Sequence, residues 1–314
     1  MGTSRTLRGR LGSPFRPCHS ALSRRPWFSY RCAARRRRCA QRHVLSLPSL
    51  ASLMALEWWQ WLIAGLAALI VGCAKTGLPG LGLVAVPLMA VAFGGRASVG
   101  TLLPMLIIAD CFAVLFYRRH ARWDHLLRLL PSVCLGLPLG FILMWWLGLR
   151  EVAAGEPDAV FTSIIGMVIL VMVALLCLRR WWGDRLVPRG RLSVVLYGSG
   201  AGIATFLANA AGPMMALYLA GMRAKKEAFM GTNAWFFLLL NLSKVPLFLI
   251  LGLLVPQAPL ITGSSLRLNV ILAPAIIVGV LLGAWLFTRL NQRLFDALVL
   301  ILAAAAAVHL IVGG

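Results

Sequence analysis

The sequence predicts an all-α polytopic membrane protein with two inverted repeats, each a broken helical hairpin followed by three transmembrane helices. Hydrophobic residues make up 60% of the chain and charged residues only 13%, and the mean hydropathy is +0.85. A soluble domain carries about 25% charged residues, so the composition disfavours a water-soluble globule. Apolar runs close to the ~20 residues that cross a bilayer recur along the chain, and one pattern of residues occurs twice.

The apolar runs set the expected helices. They cover residues 62–73, 83–93, 101–117, 129–149, 160–178, 192–219, 229–255, 268–287 and 294–312. The 192–219 run lies between two basic loops, so we expect it to enter the membrane and return as a hairpin bent at residues 209–213. The first two runs form the matching hairpin, bent at residues 75–82. We place repeat 1 at 54–184 and repeat 2 at 185–314.

The two copies of the pattern lie about 130 residues apart and keep the same order of residues. The spacing within each copy differs by a few residues, as loop insertions would produce. The first copy reads Ala85, Pro87, Met89, Ala90, Gly100, Thr101 and Asp110, and the second reads Ala211, Pro213, Met215, Ala216, Gly231, Thr232 and Asn241. Further along, Pro131, Gly136 and Gly140 match Pro274, Gly279 and Gly283. Internal repeats with Gly/Pro-interrupted apolar segments are typical of secondary transporters.

The net charge of +22 does not indicate a nucleic-acid partner, because the charge is not gathered on a folded basic face with aromatic residues. Residues 1–53 contain no acidic residue and are rich in arginine. This composition suits an organellar transit peptide, whereas its apolar stretch is too weak for a secretory signal. We favour a third interpretation, in which Met54 is the true start. On either view, we expect the leader to be disordered and exclude it from the fold.

Most other basic residues form four clusters in short loops, which predicts that these loops are cytoplasmic. The clusters are Arg118, Arg119, Arg122 and Arg128; Arg179, Arg180, Arg185, Arg189 and Arg191; Arg223, Lys225 and Lys226; and Arg289 and Arg293. A hairpin plus three crossings is an odd number of passages, so the second repeat is inverted relative to the first. This arrangement leaves the single arginines Arg96, Arg150 and Arg267 on the outer side.

The two helix breaks are the expected binding region, since irregular backbone at membrane depth survives only where protein or a water-filled cavity satisfies it. The helix-break residues are Gly77, Gly80, Gly82 and Pro87 in the first repeat, and Gly212 and Pro213 in the second. Helix N-termini exposed at such breaks favour an anion. Most of these glycines and prolines serve to bend the backbone rather than to contact a ligand.

Polar residues near the breaks are the substrate-binding candidates: Lys75, Thr76, Thr205, Asn209, Asn241 and Lys244. Lys75 adds positive charge at the first break, or else snorkels to the outer interface. Asn209 either contributes to the site or forms a hydrogen bond that holds two helices together. Asn241 and Lys244 share one face of a helix, and Lys244 lies too deep to snorkel.

Asp110 is the coupling candidate, because an intramembrane carboxylate is by default a functional group. It can serve as a proton site, as a counter-ion to Lys75, or as both. A purely structural partner of a neighbouring polar group is the alternative. Thr232, Asn233 and Ser243 are second-rank candidates.

The sequence offers no catalytic residue, metal site or cofactor site. Its seven cysteines form no CxxC pair and no cluster with histidine, and no Walker A motif occurs. Four of the five histidines, His19, His43, His120 and His125, fall in the leader or a loop.

These motifs resemble the sulfite exporter TauE/SafE family. The resemblance spans residues 57–314 and is carried by residues 77–82 with Pro87, by Asn209-x-x-Gly212-Pro213, and by Gly231-Thr232 leading to Asn241-x-x-Lys244. It implies an integral protein of the bacterial inner membrane that exports sulfite, sulfonates or related anions. The first break departs from the family, since it reads Gly-Leu-Pro-Gly-Leu-Gly where members often carry consecutive glycines.

The sequence therefore predicts a secondary transporter that moves a small anion, most directly sulfite or an organosulfonate, with possible proton coupling. An anion channel or a membrane partner protein without transport coupling is the alternative. The expected partners are the anion and the lipid bilayer, and the oligomeric state is left open.

Overall fold

The computed structural model describes residues 56–78, 80–154, 159–186, 190–221, 225–287, 289 and 292–312. The leader, residues 1–53, and its expected disorder lie outside the described residues. So do Pro79 in the first break and Arg189 and Arg223 in the predicted cytoplasmic loops.

Within the described residues, all regular secondary structure is helical. The first half holds α1 (Trp58–Thr76), α2 (Gly82–Phe93), α3 (Gly95–Tyr117), α4 (Trp123–Ala154) and α5 (Ala159–Trp182). The second half holds α6 (Arg191–Ala208), α7 (Gly212–Ala220), α8 (Lys226–Leu254), α9 (Gly263–Leu286) and α10 (Gln292–Val312). Each predicted apolar run thus becomes a helix, and the 192–219 run becomes two.

Seven helices in the described part of the chain are long and apolar enough to cross a membrane, namely α1, α3, α4, α5, α6, α8 and α9. Helix α2 and the apolar part of α10, Val299–Val312, are shorter. The two predicted breaks fall between α1 and α2 and between α6 and α7. Many large apolar side chains are exposed along these helices, among them Leu253 and Val270, as a lipid-facing surface requires.

Helix pairing is symmetric under exchange of the two halves. Helix α1 packs on α9, and its counterpart α6 packs on α4. Helix α2 packs on α10 as α7 packs on α5, and α3 packs on its own counterpart α8. The two sets of five helices therefore form one interlocked body, and each half supplies the partner for the first helix of the other.

Glycines make the α1–α9 and α4–α6 pairings close. A Cβ on Gly72 would lie 2.2 Å from the Ile276 carbonyl oxygen, and one on Gly77 would lie 1.9 Å from that of Gly283. In the matching pair, a Cβ on Gly136 would lie 2.1 Å from the Ser199 carbonyl oxygen. Small residues at such crossings let backbones approach, which supplies the packing energy that the hydrophobic effect cannot supply in lipid.

The repeated Gly-Thr pairs also occupy equivalent positions. Gly100 in α3 lies against the backbone of Leu260, in the loop between α8 and α9. Gly231 in α8 lies against the backbone of Tyr117 and His120, in the turn between α3 and α4. The glycine of each Gly-Thr pair therefore packs against the end of α3 or α8 of the other half, or against the loop that follows it.

Arg96, expected from the sequence to be a single arginine on the outer side, is buried within the protein. It lies in the first turn of α3 with 4% exposure, and its guanidinium is 3.7 Å from the Glu151 carboxylate. Its second amino group donates to the Ala258 carbonyl oxygen at 3.3 Å. The charge rule for loops does not apply to it, because protein groups rather than water surround the guanidinium.

Candidate functional site

The first helix break follows Lys75, which lies in the last turn of α1. Helix α1 ends at Thr76, and α2 begins at Gly82. Gly80, between them, has φ +111°, a backbone conformation that side chains with a Cβ rarely adopt. Glycine at this position therefore lets the chain reverse between the two helices.

The second break is also a short non-helical segment between two helices, but different residues form it. Helix α6 ends at Ala208, and Asn209 closes it in the left-handed conformation with φ 51°. Asparagine is one of the few side chains that tolerate this region. Helix α7 begins at Gly212, and Pro213 occupies its first turn, where its missing N–H costs no hydrogen bond.

A cavity joins the two breaks. Its wall contains residues from both breaks together with side chains of α1, α2, α3 and α8. The lining residues used below are Lys75, Gly80, Gly82, Asn209, Gly212, Asn233 and Phe237. The cavity volume, counted as the space that the centre of a water-sized sphere can occupy, is about 60 Å³. One water molecule needs roughly 10–15 Å³ counted in this way. The cavity therefore has room for a few water molecules or one small anion.

Lys75 and Asp110 form a buried ion pair beside the cavity. The Lys75 Nζ lies 2.8 Å from Oδ1 of Asp110, and the side chains are 10% and 0% exposed. The same ammonium lies 4.0 Å from the centre of the Phe237 ring, a cation–π contact. Lys75 therefore points into the protein and does not snorkel outward, and Asp110 is its counter-ion.

Asn241 completes this first centre. Its Nδ2 donates to Oδ2 of Asp110 at 2.6 Å. The matched positions of the two repeats thus contact each other across the α3–α8 crossing. The buried Oδ1 of Asn241 has no hydrogen-bond partner among the described residues.

Lys244 forms a second centre at the end of α6. Its Nζ donates to the Thr205 carbonyl oxygen at 3.2 Å, to the Thr205 hydroxyl at 3.1 Å, and to Oδ1 of Asn209 at 2.5 Å. The side chain is fully buried, with 0% exposure. The side chains of two lysines, Lys75 and Lys244, and of one aspartate, Asp110, therefore lie buried in this part of the membrane interior.

Some sequence candidates lie away from the cavity. The Thr76 hydroxyl donates to the Val280 carbonyl oxygen of α9 at 2.6 Å, and Gly77 packs against Gly283. Pro87 is buried inside α2. These residues hold α1 against α9 or shape α2, while Lys75, Gly80, Gly82, Asn209 and Gly212 reach the cavity itself.

Two residues that line the cavity are not among the first-rank candidates from the sequence. Asn233 is a second-rank candidate, and Phe237 is not a candidate. Both line the cavity and are 6% and 8% exposed. The signal was present, because Asn233, Phe237 and Asn241 are spaced four residues apart and so share one face of α8.

The other second-rank candidates bond to their own helix. Thr232 donates to the Ala228 carbonyl oxygen at 2.7 Å and also accepts from the backbone of Arg122. Ser243 donates to Leu239 at 2.8 Å. Among the described residues, no group of three or more His, Cys, Asp and Glu side chains is placed to hold a metal ion.

Fold and site together define a multi-pass membrane protein with a small cavity between two helix breaks and a buried lysine–aspartate pair beside it. Residues 63–310 match the family model of the sulfite exporter TauE/SafE. The chain belongs to this family of membrane transporters. Searches of curated proteins and of solved structures give no significant match.

Proposed function

We propose that this protein is a secondary transporter that exports a small anion, most directly sulfite or an organosulfonate, across the bacterial inner membrane. The observation that carries the proposal is the cavity where the two helix breaks meet, with the Lys75 ammonium in its wall. The family supplies the substrate class, and the cavity size suits an anion of a few heavy atoms.

The charge around the cavity favours an anion. In their protonated forms, Lys75 is paired with the Asp110 carboxylate, whereas Lys244 is held among the described residues by neutral oxygens alone. An uncompensated positive charge in the membrane interior is costly, so a bound anion would offset part of the excess. A cationic substrate would raise the excess charge further.

Backbone groups of both repeats add to this preference. Gly82 and Gly212 are the first residues of α2 and α7, and both line the cavity. The first N–H groups of a helix carry partial positive charge, although in α2 those of Leu83 and Val84 already donate to the carbonyl oxygens of Gly80 and Leu81. Two such helix ends, one from each repeat, therefore face the same small space.

Proton coupling would act through Asp110. An anion that binds Lys75 competes with the Asp110 carboxylate for the same ammonium, 2.8 Å away. Protonation of Asp110 would release Lys75 to the anion and keep the number of buried charges constant. Alternating access then follows from rocking of two inverted repeats, with the four basic clusters on the cytoplasmic side.

The transport test measures the flux of sulfite and sulfoacetate in proteoliposomes, with and without a pH gradient. We expect saturable, gradient-dependent flux. The Lys75→Met/Asp110→Asn double variant removes both charges without leaving one unpaired, and should lower flux by about 100-fold, as expected for the loss of 2–3 kcal/mol of charge-assisted binding. Lys225→Met, an exposed lysine outside the cavity, is the matched control.

Other outcomes discriminate the alternatives. Flux that is linear in concentration and indifferent to the gradient indicates a channel. No movement of either sulfur anion under either condition refutes the substrate assignment. Full flux in the double variant refutes the role of Lys75.

The coupling test uses Asp110→Asn alone, which keeps the hydrogen-bonding shape of the side chain but cannot exchange a proton. We expect anion flux that no longer responds to the pH gradient. Intact gradient dependence in this variant would exclude Asp110 as the proton site.

A further inference from the structure

The surroundings of Lys244 have the composition of a cation-binding site. Three oxygens meet at its Nζ: a backbone carbonyl and a hydroxyl from Thr205, and the amide oxygen of Asn209, at 3.2, 3.1 and 2.5 Å. An ammonium has three protons to donate, so each proton has one acceptor. None of these acceptors carries a charge.

The position of these oxygens explains why they attract a cation. Thr205 lies in the last turn of α6, and Asn209 closes the helix. The last carbonyls of a helix carry partial negative charge. In transporters with broken helices, unwound carbonyls and the C-terminal ends of half-helices coordinate the coupling cation. Here a lysine ammonium from α8 occupies the corresponding place.

Lys244 differs in this respect from Lys75. Lys75 is paired with a carboxylate and lines the cavity. Lys244 is not among the cavity-lining residues, and no salt bridge in the described part of the chain includes it. Its role is therefore not explained by the counter-ion arrangement of the first centre, nor by direct contact with an anion in the cavity.

We propose that Thr205 and Asn209 form a monovalent-cation site which the native chain fills with its own Lys244 ammonium, and which small cations such as Na⁺ can fill when that side chain is truncated. The tethered cation fixes the second break. Asn209 holds Lys244 with its oxygen and donates with its nitrogen to the Val99 carbonyl oxygen at 3.1 Å. It therefore connects the cation to α3 and to the cavity wall.

The test is the thermal stability of the purified full-length Lys244→Ala variant, followed by the fluorescence of its tryptophans. Midpoints are compared in NaCl and in choline chloride at equal ionic strength, because choline is too large for the site. At a tenfold excess of Na⁺ over its Kd, we expect Na⁺ to raise the midpoint of the variant by about 3 °C or more, in a saturable way. The native protein should show no Na⁺-specific shift.

Two controls isolate the site. Lys225→Ala removes an exposed lysine at the start of the same helix and should behave as the native protein does. Lys244→Met fills the space of the lysine stem without a charge, and should be insensitive to Na⁺. A Lys244→Ala variant that folds and responds equally to Na⁺ and choline overturns the proposal.

A second variant covers the case in which Lys244→Ala is too unstable to study. Adding Asn209→Asp to it gives the site a negative charge, which should tighten Na⁺ binding at least tenfold and restore folding in NaCl. Failure of both variants to fold with Na⁺ present also overturns the proposal, because a vacated cation site should be filled. Stability is the readout, so the result does not depend on which anion is transported.

Discussion

The two buried lysines mark equivalent interfaces of the two repeats, yet they are held in different ways. Lys75 extends from α1, the first helix of its repeat, to α3, the third. Lys244 extends in the reverse sense, from α8, the third helix of its repeat, to α6, the first. One ammonium meets a carboxylate beside the cavity. The other meets three neutral oxygens at a helix end.

This difference shows what each repeat contributes. The first centre, Lys75 with Asp110 and Asn241, contains a group that can exchange a proton and an ammonium that faces the cavity. The second centre, Lys244 with Thr205 and Asn209, has a fixed set of neutral acceptors that shape the break. The two helix breaks thus meet at one cavity, and the proposed function assigns substrate binding to the first centre and support of the second break to the second centre.

The largest expected effect is at the first centre. Asp110→Leu leaves the Lys75 ammonium buried without a carboxylate, and breaking a buried ion pair in this way costs about 3–5 kcal/mol. We expect the thermal midpoint to fall by about 10 °C, on the scale of about 2–4 °C per kcal/mol that holds for domains of roughly 150–250 residues.

Adding Lys75→Met to Asp110→Leu should recover most of that loss, because no unpaired charge then remains. A double variant that is as unstable as the single one would show that Asp110 stabilises the fold independently of Lys75.

The next effect concerns the scaffold that both centres share. Gly72→Ala places a Cβ 2.2 Å from the Ile276 carbonyl oxygen, and Gly202→Ala places one 2.7 Å from that of Val133. Both α1–α9 and α6–α4 must then separate, at about 3 kcal/mol or less each, the usual range for overpacking.

Gly65→Ala is the matched control for this pair, since nothing lies within 4 Å of its added Cβ. It should be neutral, or stabilising by up to about 1 kcal/mol through helix propensity. Equal midpoints for Gly72→Ala and Gly65→Ala would disprove the close contact between α1 and α9.

The smallest effects compare two threonines that were both substrate-binding candidates. Thr205→Val removes a hydroxyl that accepts from the Lys244 ammonium, and should cost about 2 kcal/mol. Thr76→Val removes a hydrogen bond between neutral groups on α1 and α9, and should cost about 1 kcal/mol without changing the KM for the anion. An increased KM for the anion in Thr76→Val would indicate that Thr76 takes part in substrate binding.

Much of the architecture follows from local features of the sequence. Each apolar run predicts the position of a helix, although helices such as α4 extend beyond their run, and the Gly/Pro breaks at residues 77–82 and 209–213 appear where predicted. The match of Gly136 and Gly140 with Gly279 and Gly283 was also predictive, since both pairs form close helix crossings. These features can be predicted from the sequence because the position of a helix and the conformational freedom of glycine depend mainly on short segments of the chain.

Individual contacts were less predictable, and Thr76 and Arg96 illustrate why. The Thr76 hydroxyl is next to Lys75 in sequence, yet one step around the helix turns it away from the cavity and toward α9. Arg96 resembles a loop charge, but a buried carboxylate from the end of α4 neutralises it. In both cases the partner lies far along the chain.

The sequence by itself determined that this is a helical membrane protein with two helix breaks, and it named polar residues near them. Only the tertiary structure decided which of those residues meet. It paired Lys75 with Asp110, gave Lys244 to Thr205 and Asn209, and brought Asn233 and Phe237 to the cavity. The physical reason is that a buried charge is stable only beside its partner, and the packing of distant helices selects that partner.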